Sequence, residues 1–184
     1  MDTAFLLSIA DNDYQLPAQY SIEEVTGELL ANIGIPDPEQ RELVYDILSQ
    51  WILDQRYSPD MLHSLIEHLL RNLYVGLGEQ GTDSVFIRSF SVLLLGETVN
   101  LDNEVPYLTS EEVHAIADFA LDYLRREQDK REFVEGKGWA QALEHGQFCF
   151  SDLLASRQLS TAKIAIIRHE LDAILTDKAG DGAP

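Results

Sequence analysis

The stretch that decides the fold reads Thr82-Asp83-Ser84-Val85-Phe86-Ile87-Arg88-Ser89-Phe90-Ser91-Val92-Leu93-Leu94-Leu95. On a helical wheel its apolar side chains, from Val85 to Leu95, point in nearly every direction. A helix that is apolar all round belongs at the centre of a fold, with other helices packed about it. The segments on either side differ: each carries its apolar residues on a single stripe, at steps of three and four. Before the central segment the stripes are Ile22, Val25, Leu29, Leu30, Ile33; then Leu43, Val44, Ile47, Leu48, Trp51, Ile52; then Leu62, Leu65, Ile66, Leu69, Leu70, Leu73, Leu77. After it they are Val113, Ile116, Ala117, Ala120, Leu121, Leu124, and Ile164, Ile167, Leu171, Ile174, Leu175. No alternating run bounded by turn residues occurs, so strands are expected to be few or absent.

Start signals precede most of these stripes. Ser21-Ile22-Glu23-Glu24 and Thr109-Ser110-Glu111-Glu112 fit the capping box, in which hydroxyl and carboxylate satisfy orphan N–H groups reciprocally. Asp37-Pro38 and Ser58-Pro59 place a cap residue before a proline at the first helical position. Residues 136–154 read as one further helix. Trp139, Ala142, Leu143, Gly146, Phe150, Leu153 and Leu154 share one face of it, with Trp139 anchoring that face. Gln141, Glu144, His145, Phe148 and Asp152 share the other. Helix starts near 21, 37, 58, 82, 109, 136 and 160 group into pairs of about 40–50 residues, the span of a two-helix repeat. The expected fold is all-α, with antiparallel helix pairs stacked as a short HEAT/armadillo-like right-handed superhelix; a compact bundle is the alternative. One domain is expected over residues 1–178, with 179–184 a disordered tail.

Of the 184 residues, 13 are Lys or Arg and 32 are Asp or Glu, a formal charge of −19. That balance argues against nucleic acid as a partner, because phosphate neutralisation needs a basic face. It argues equally against anionic lipid. Residues 1–40 hold eight acids and no base, whereas residues 125–137 hold five bases and four acids. The single cysteine, Cys149, excludes an intrachain disulfide and fits a reducing compartment; it reads as a buried thiol. With no positive segment at the N-terminus and no apolar run near the ~18 residues of a membrane span, a cytoplasmic location is expected.

Four stretches together carry a family resemblance: Arg41-Glu42-Leu43-Val44-Tyr45-Asp46 with Trp51; Thr82 to Ser91; Glu127 to Ala140; and Ala142-Leu143-Glu144-His145-Gly146. From roughly residue 20 to 175 the chain resembles an uncharacterised bacterial family, a domain of unknown function with a Gly-Trp-Ala-His-Ala-x-Ala-His-x-Ala-Asp signature. The resemblance implies a HEAT-like helical fold and no particular activity. Gln141 stands where that signature has its first histidine, His145 keeps the second, and Phe148 stands where it has aspartate.

Several residues are candidates for chemistry. Arg88 lies on the nearly all-apolar helix, where an unpaired guanidinium is costly. It is either a buried ion pair, with Asp46 or Asp152 as partner, or an anion-binding group facing a cleft. Arg131 and Lys137 sit in the one region where positive charge concentrates, ahead of an expected helix N-terminus that could hold a carboxylate or phosphate. Gln141, His145 and Asp152 line one helix face, and Phe148 is out of place on that polar face. One histidine and one carboxylate do not make a metal site, so no metal and no cofactor are implied. Gly76-Leu77-Gly78-Glu79-Gln80-Gly81 matches a nucleotide-loop pattern in letters only. It follows a helix rather than a strand and reads as a helix end and turn. No complete nucleophile, metal or phosphate motif appears. The expected function is therefore a binding module that takes a protein, a peptide or a small ligand in a concave polar groove containing Arg88, Gln141, His145, Phe148 and Asp152. The alternative is an enzyme or small anionic-ligand binder using Arg88, Arg131 and His145.

Overall fold

The computed structural model describes residues 1–180. Among these residues there are eight helices and one two-stranded hairpin: α1 Thr3–Ala10, α2 Ile22–Asn32, α3 Pro38–Leu53, α4 Pro59–Asn72, α5 Ser84–Glu104, α6 Ser110–Arg126, β1 Phe133–Val134, β2 Gly138–Trp139, α7 Ala142–Ala155 and α8 Thr161–Gly180. The protein is all-α apart from that hairpin. Residues 181–184, most of the expected tail, lie outside the described residues.

The caps form where the sequence places them. Ser21 Oγ accepts from the Glu24 N–H, Asp37 from Gln40 and Ser58 from Met61. Thr109 and Glu112 close a full capping box. These bonds satisfy N–H groups that have no partner inside the helix. The start of α5 differs: Asp83 precedes it but makes no side-chain cap bond, because both its carboxylate oxygens accept from Lys137 Nζ, at 2.6 and 2.7 Å.

Helix α5 is the centre of the molecule. Val85, Phe86, Val92, Leu94, Leu95 and Val99 are all fully buried. The helix packs against α3, α4, α6 and most extensively α7. Helices α1 and α2 pack on α3, and α8 packs on α6. By length and composition α5 is apolar enough to cross a membrane, which the sequence reading did not allow for; here it lies mostly buried among other helices.

Three features differ from expectation. Helix α1 has no stripe long enough to stand out; Asp2 caps it, and Leu6 and Ile9 bury against the core. The helix expected from residue 136 begins at Ala142. Gly136 and Gly138 have φ of +74° and +79° and turn the chain into the β1–β2 hairpin instead. Such conformations are open to glycine and strained for other residues. Trp139 consequently does not anchor the core. It is 49% exposed on the hairpin, edge-on to Phe133 at 5.1 Å.

The hairpin is tied down by Arg41 of α3, which is fully buried. Its guanidinium lies 4.0 Å from the Phe86 ring centroid. It donates to the carbonyls of Ile35, Lys137 and Trp139 at 2.8, 2.6 and 3.4 Å. Burial lowers its pKa, with the carboxylates of Glu42, Asp37 and Asp83 acting the other way.

Candidate functional site

Two polar clusters are built on α5. The first surrounds Arg88, which is fully buried. Its Nε and Nη2 donate to the two oxygens of Glu127 at 2.6 and 2.9 Å, a bidentate pair. Its Nη1 donates to the carbonyls of Val75 and Gly76 and to Ser84 Oγ. The partner is thus Glu127, just past α6, rather than Asp46 or Asp152. The turn after α4, with Gly76 at φ +60°, supplies two of the acceptors. The glycine-rich letters of residues 76–81 therefore form a turn that closes over an arginine. Arg88 is inaccessible to a ligand.

The basic turn is similarly occupied. Arg131 grips Asp129 through Nε and Nη2 and donates to the Thr82 carbonyl at 2.6 Å. Asp129 raises the pKa of Arg131, and the hydrogen bonds that Asp129 accepts hold its own pKa low against burial. Lys137 is bound to Asp83. Arg125 pairs with Glu170, and Arg126 with Asp122 at 3.1 Å. A cavity of about 470 Å³ opens beside Arg131, Gln141 and Glu144. In it Gln141, left-handed at φ +48°, donates to Glu144 at 2.5 Å.

The second cluster lies where α3, α5 and α7 meet. A groove of about 450 Å³ is lined by Tyr45 of α3, by Leu93, Glu97 and Asn100 of α5, and by His145, Phe148, Ser151 and Asp152 of α7. Two glycines let α7 settle this closely. A Cβ on Gly96 would stand 3.1 Å from the Cys149 Cα, and one on Gly146 would strike Leu124 of α6. Gly146 thus permits the close approach of α7 to α6. Cys149 is buried, and burial raises its pKa.

His145 is the inner wall of this groove and only 7% exposed. Its Nδ1 is 2.7 Å from Ser89 Oγ, and that hydroxyl donates to the Ala140 carbonyl. Ser89 has one proton and has given it to the carbonyl, so the Nδ1–H donates to Ser89 and the Nε2 carries the lone pair. Among the described residues Nε2 has no hydrogen-bond partner, yet it is not sealed from solvent, so it opens to the groove. Burial depresses the imidazole pKa to about 4, the Ser89 backbone opposing and Arg41 adding to the fall. His145 is therefore neutral at physiological pH, with an acceptor aimed outward.

The rest of the lining is acidic. Tyr45 Oη donates to Glu97 at 3.1 Å, and the phenol pKa is raised by burial and by that carboxylate. Asp152 Oδ atoms have no hydrogen-bond donor among the described residues. Burial, then the nearby Glu97, pushes the Asp152 pKa up to about 6. Phe148 stands 52% exposed at the rim. Among the described residues no three His, Cys, Asp or Glu side chains are grouped so as to hold a metal ion.

A family model described as "Protein of unknown function (DUF2785)" matches residues 73–178. The chain belongs to this family. No curated protein and no solved structure matches it. The DUF2785 match takes in α5 to α7 and most of α8, hence two of the three groove walls and both ends of the Arg88–Glu127 pair; Tyr45 lies before it.

Of the seven residues singled out from sequence, His145, Phe148 and Asp152 share the groove. Arg131 and Gln141 open onto the neighbouring cavity, Lys137 is bound to Asp83, and Arg88 is enclosed. His145 and the two arginines do not line a common cavity among those described. Sequence reasoning missed Tyr45, Ser89, Glu97, Asn100 and Ser151. One signal was available for Glu97: it is an acid on the helix that is otherwise apolar all round. Tyr45 and Ser151 carry none, since only the packing of α3 and α7 on α5 brings them together.

Proposed function

We propose that the chain is a binding module, and that the α3/α5/α7 groove is where a peptide or protein partner docks. One observation carries this reading. Most buried polar side chains pair within the fold, Arg41 Nε and His114 Nε2 being among the few that do not, whereas at this groove the His145 Nε2 and the half-buried Asp152 carboxyl open to solvent side by side with no hydrogen-bond partner among the described residues. Buried polar groups are as a rule satisfied within the protein or by what the protein binds. Support also comes from the helix contacts. Helix α1 lies on α3, α3 on α5 and α5 on α7, while α6 lies on α8, as alternate helices do in stacked pairs. We read the architecture on that basis as a short HEAT/armadillo-like right-handed superhelix, a class that presents extended concave surfaces to peptides. The acidic balance favours a partner other than nucleic acid or anionic membrane, and the lone thiol favours the cytoplasm.

The intramolecular pairing of Arg88, Arg131 and Lys137 favours this reading over anion binding. A fluorescence-anisotropy screen of a short-peptide library against the purified chain tests it, with Ser151→Tyr as a groove-filled control. Peptides whose binding is lost in Ser151→Tyr support the reading. Binding indifferent to that substitution, or a large thermal stabilisation by a small anion alone, overturns it.

A further inference from the structure

We infer that the groove selects a cationic side chain, the ammonium of lysine or the guanidinium of arginine, on the docking peptide. The inference deepens the reading of the groove as a docking site and rests on it.

The chemistry of the walls points one way. Asp152 and Glu97 present carboxyl oxygens, and His145 presents the Nε2 lone pair from a side chain more than nine-tenths buried. Tyr45 has already given its proton to Glu97. The groove thus offers several strong acceptors and no charged donor, since neither Lys nor Arg lines it. A ligand that matches it must bring several N–H groups and a positive charge. A primary ammonium brings three N–H donors and a guanidinium five, enough to reach both carboxylates and the imidazole. Phe148 and Leu93 beside them give the aliphatic stem of such a side chain an apolar surface to lie on.

A second acidic cavity provides the contrast. The cleft between α4 and α6 is lined by Asp60, Glu67 and Glu112. There Glu67 pairs with Arg71, and Glu112 serves both the α6 cap and His63. Two of its three acids are thus engaged in the fold. In the α3/α5/α7 groove only Glu97 has a partner, and that partner is a neutral phenol. Acidic side chains alone would not mark a ligand site. The Nε2 of His145 is the independent feature that does, because it opens to the groove from a side chain more than nine-tenths buried and no element of the fold bonds to it.

The test is an amide NMR titration of the isotope-labelled chain with capped Gly-Lys-Gly, Gly-Arg-Gly and Gly-Glu-Gly, and with n-butylamine. The expected result is that the lysine and arginine peptides shift the amides of Glu97, Asn100 and Ser151 and the glutamate peptide does not. Asp152→Asn should weaken the effect by about fivefold or more, and added salt should weaken it further. Glu97→Gln is the second variant and should act in the same direction. An equal response to the glutamate peptide in the groove overturns the choice of a cation but leaves the groove as a docking site. Shifts confined to another face overturn both readings. A response to n-butylamine as large as to the peptides overturns the peptide as its source. No groove response to either basic peptide up to about 10 mM, the weak end of specific recognition, overturns the inference.

Discussion

Helix α5 carries two polar clusters that look alike in composition and differ in completeness. At its start, Arg88 is enclosed by Glu127, Ser84 and two turn carbonyls. About two and a half turns on, Glu97 faces Asp152 and His145 across a groove in which the Asp152 carboxyl and the imidazole Nε2 open to solvent without a hydrogen-bond partner among the described residues. A buried charge with all its partners is part of the fold, and its value lies in the cost of breaking it. A half-buried polar group that opens to solvent without a protein partner adds nothing to the fold, and on the proposed reading its partner lies outside the chain. The difference separates a closed cluster from an open one on one helix.

The sharpest way to break that comparison is to remove one half of the enclosed pair. Glu127→Ala leaves the Arg88 guanidinium buried without its counter-charge. A loss of about 3–5 kcal/mol is expected, read as a lower midpoint in urea denaturation. The isosteric Asp152→Asn in the groove should leave the midpoint unchanged or raise it slightly at neutral pH. Equal losses from both would mean that the two clusters do the same work.

The groove also has a pH signature, in two opposing parts. His145 has a pKa of about 4 in the fold against an ordinary value of 6.5. Between those values the unfolded chain binds the proton that the folded chain refuses. Its contribution to stability is therefore complete above pH 6.5 and is lost as pH falls toward 4, on the order of 3 kcal/mol in all. Arg41 behind it adds to this, and no carboxylate bonds to the ring to oppose it. His145→Gln should flatten that part of the stability profile. Asp152 runs the other way. Its folded pKa of about 6 lies above the ordinary 3.8, with Glu97 facing it from α5, so the fold favours its protonated form and loses stability as pH rises between these values. The side chain is half-buried and solvent screens it, which limits the effect to about 1 kcal/mol. Asp152→Asn should remove this smaller fall and steepen the net rise of stability with pH. A variant pair whose slopes both moved in the same direction would contradict the assignment of a neutral imidazole beside an uncompensated carboxyl.

Much of the framework was legible in the sequence because it is local. Cap residues and single apolar stripes are properties of short segments, and α2 to α6 and α8 begin within two residues of the starts they imply. The all-round apolar pattern placed α5 at the centre correctly. The start of α7 was not legible in the same way. The periodicity of Trp139, Ala142 and Leu143 runs on through residues that Gly136 and Gly138 divert into a hairpin, and the buried Arg41 that secures it lies some 96 residues earlier in the chain. The partner of Arg88 escaped for the same reason, since Glu127 gives no local sign of pointing inward. Three groove residues were visible as one polar face of a helix. Their companions Tyr45 and Glu97 come from helices far away in sequence, and only tertiary packing assembles the set.

The smallest expected effect on stability belongs to Phe148, and it is the most informative about what the groove is for. The side chain is 52% exposed at the rim, with no ring partner among the described residues. An aromatic side chain that far out of the core contributes little to folding, so Phe148→Ala should shift the denaturation midpoint by no more than about 0.5 kcal/mol. If the ring covers the stem of a docked basic side chain, the same substitution should weaken the lysine- and arginine-peptide titrations about threefold, through lost apolar contact rather than lost charge. That weakening should persist at high salt, whereas the loss from Asp152→Asn should shrink as salt screens the wild-type attraction. A substitution that leaves folding intact and reduces binding in a salt-independent way would place Phe148 with the groove. One that unfolds the chain by 2 kcal/mol or so would place it with the Arg88 cluster, among residues whose partners are all internal.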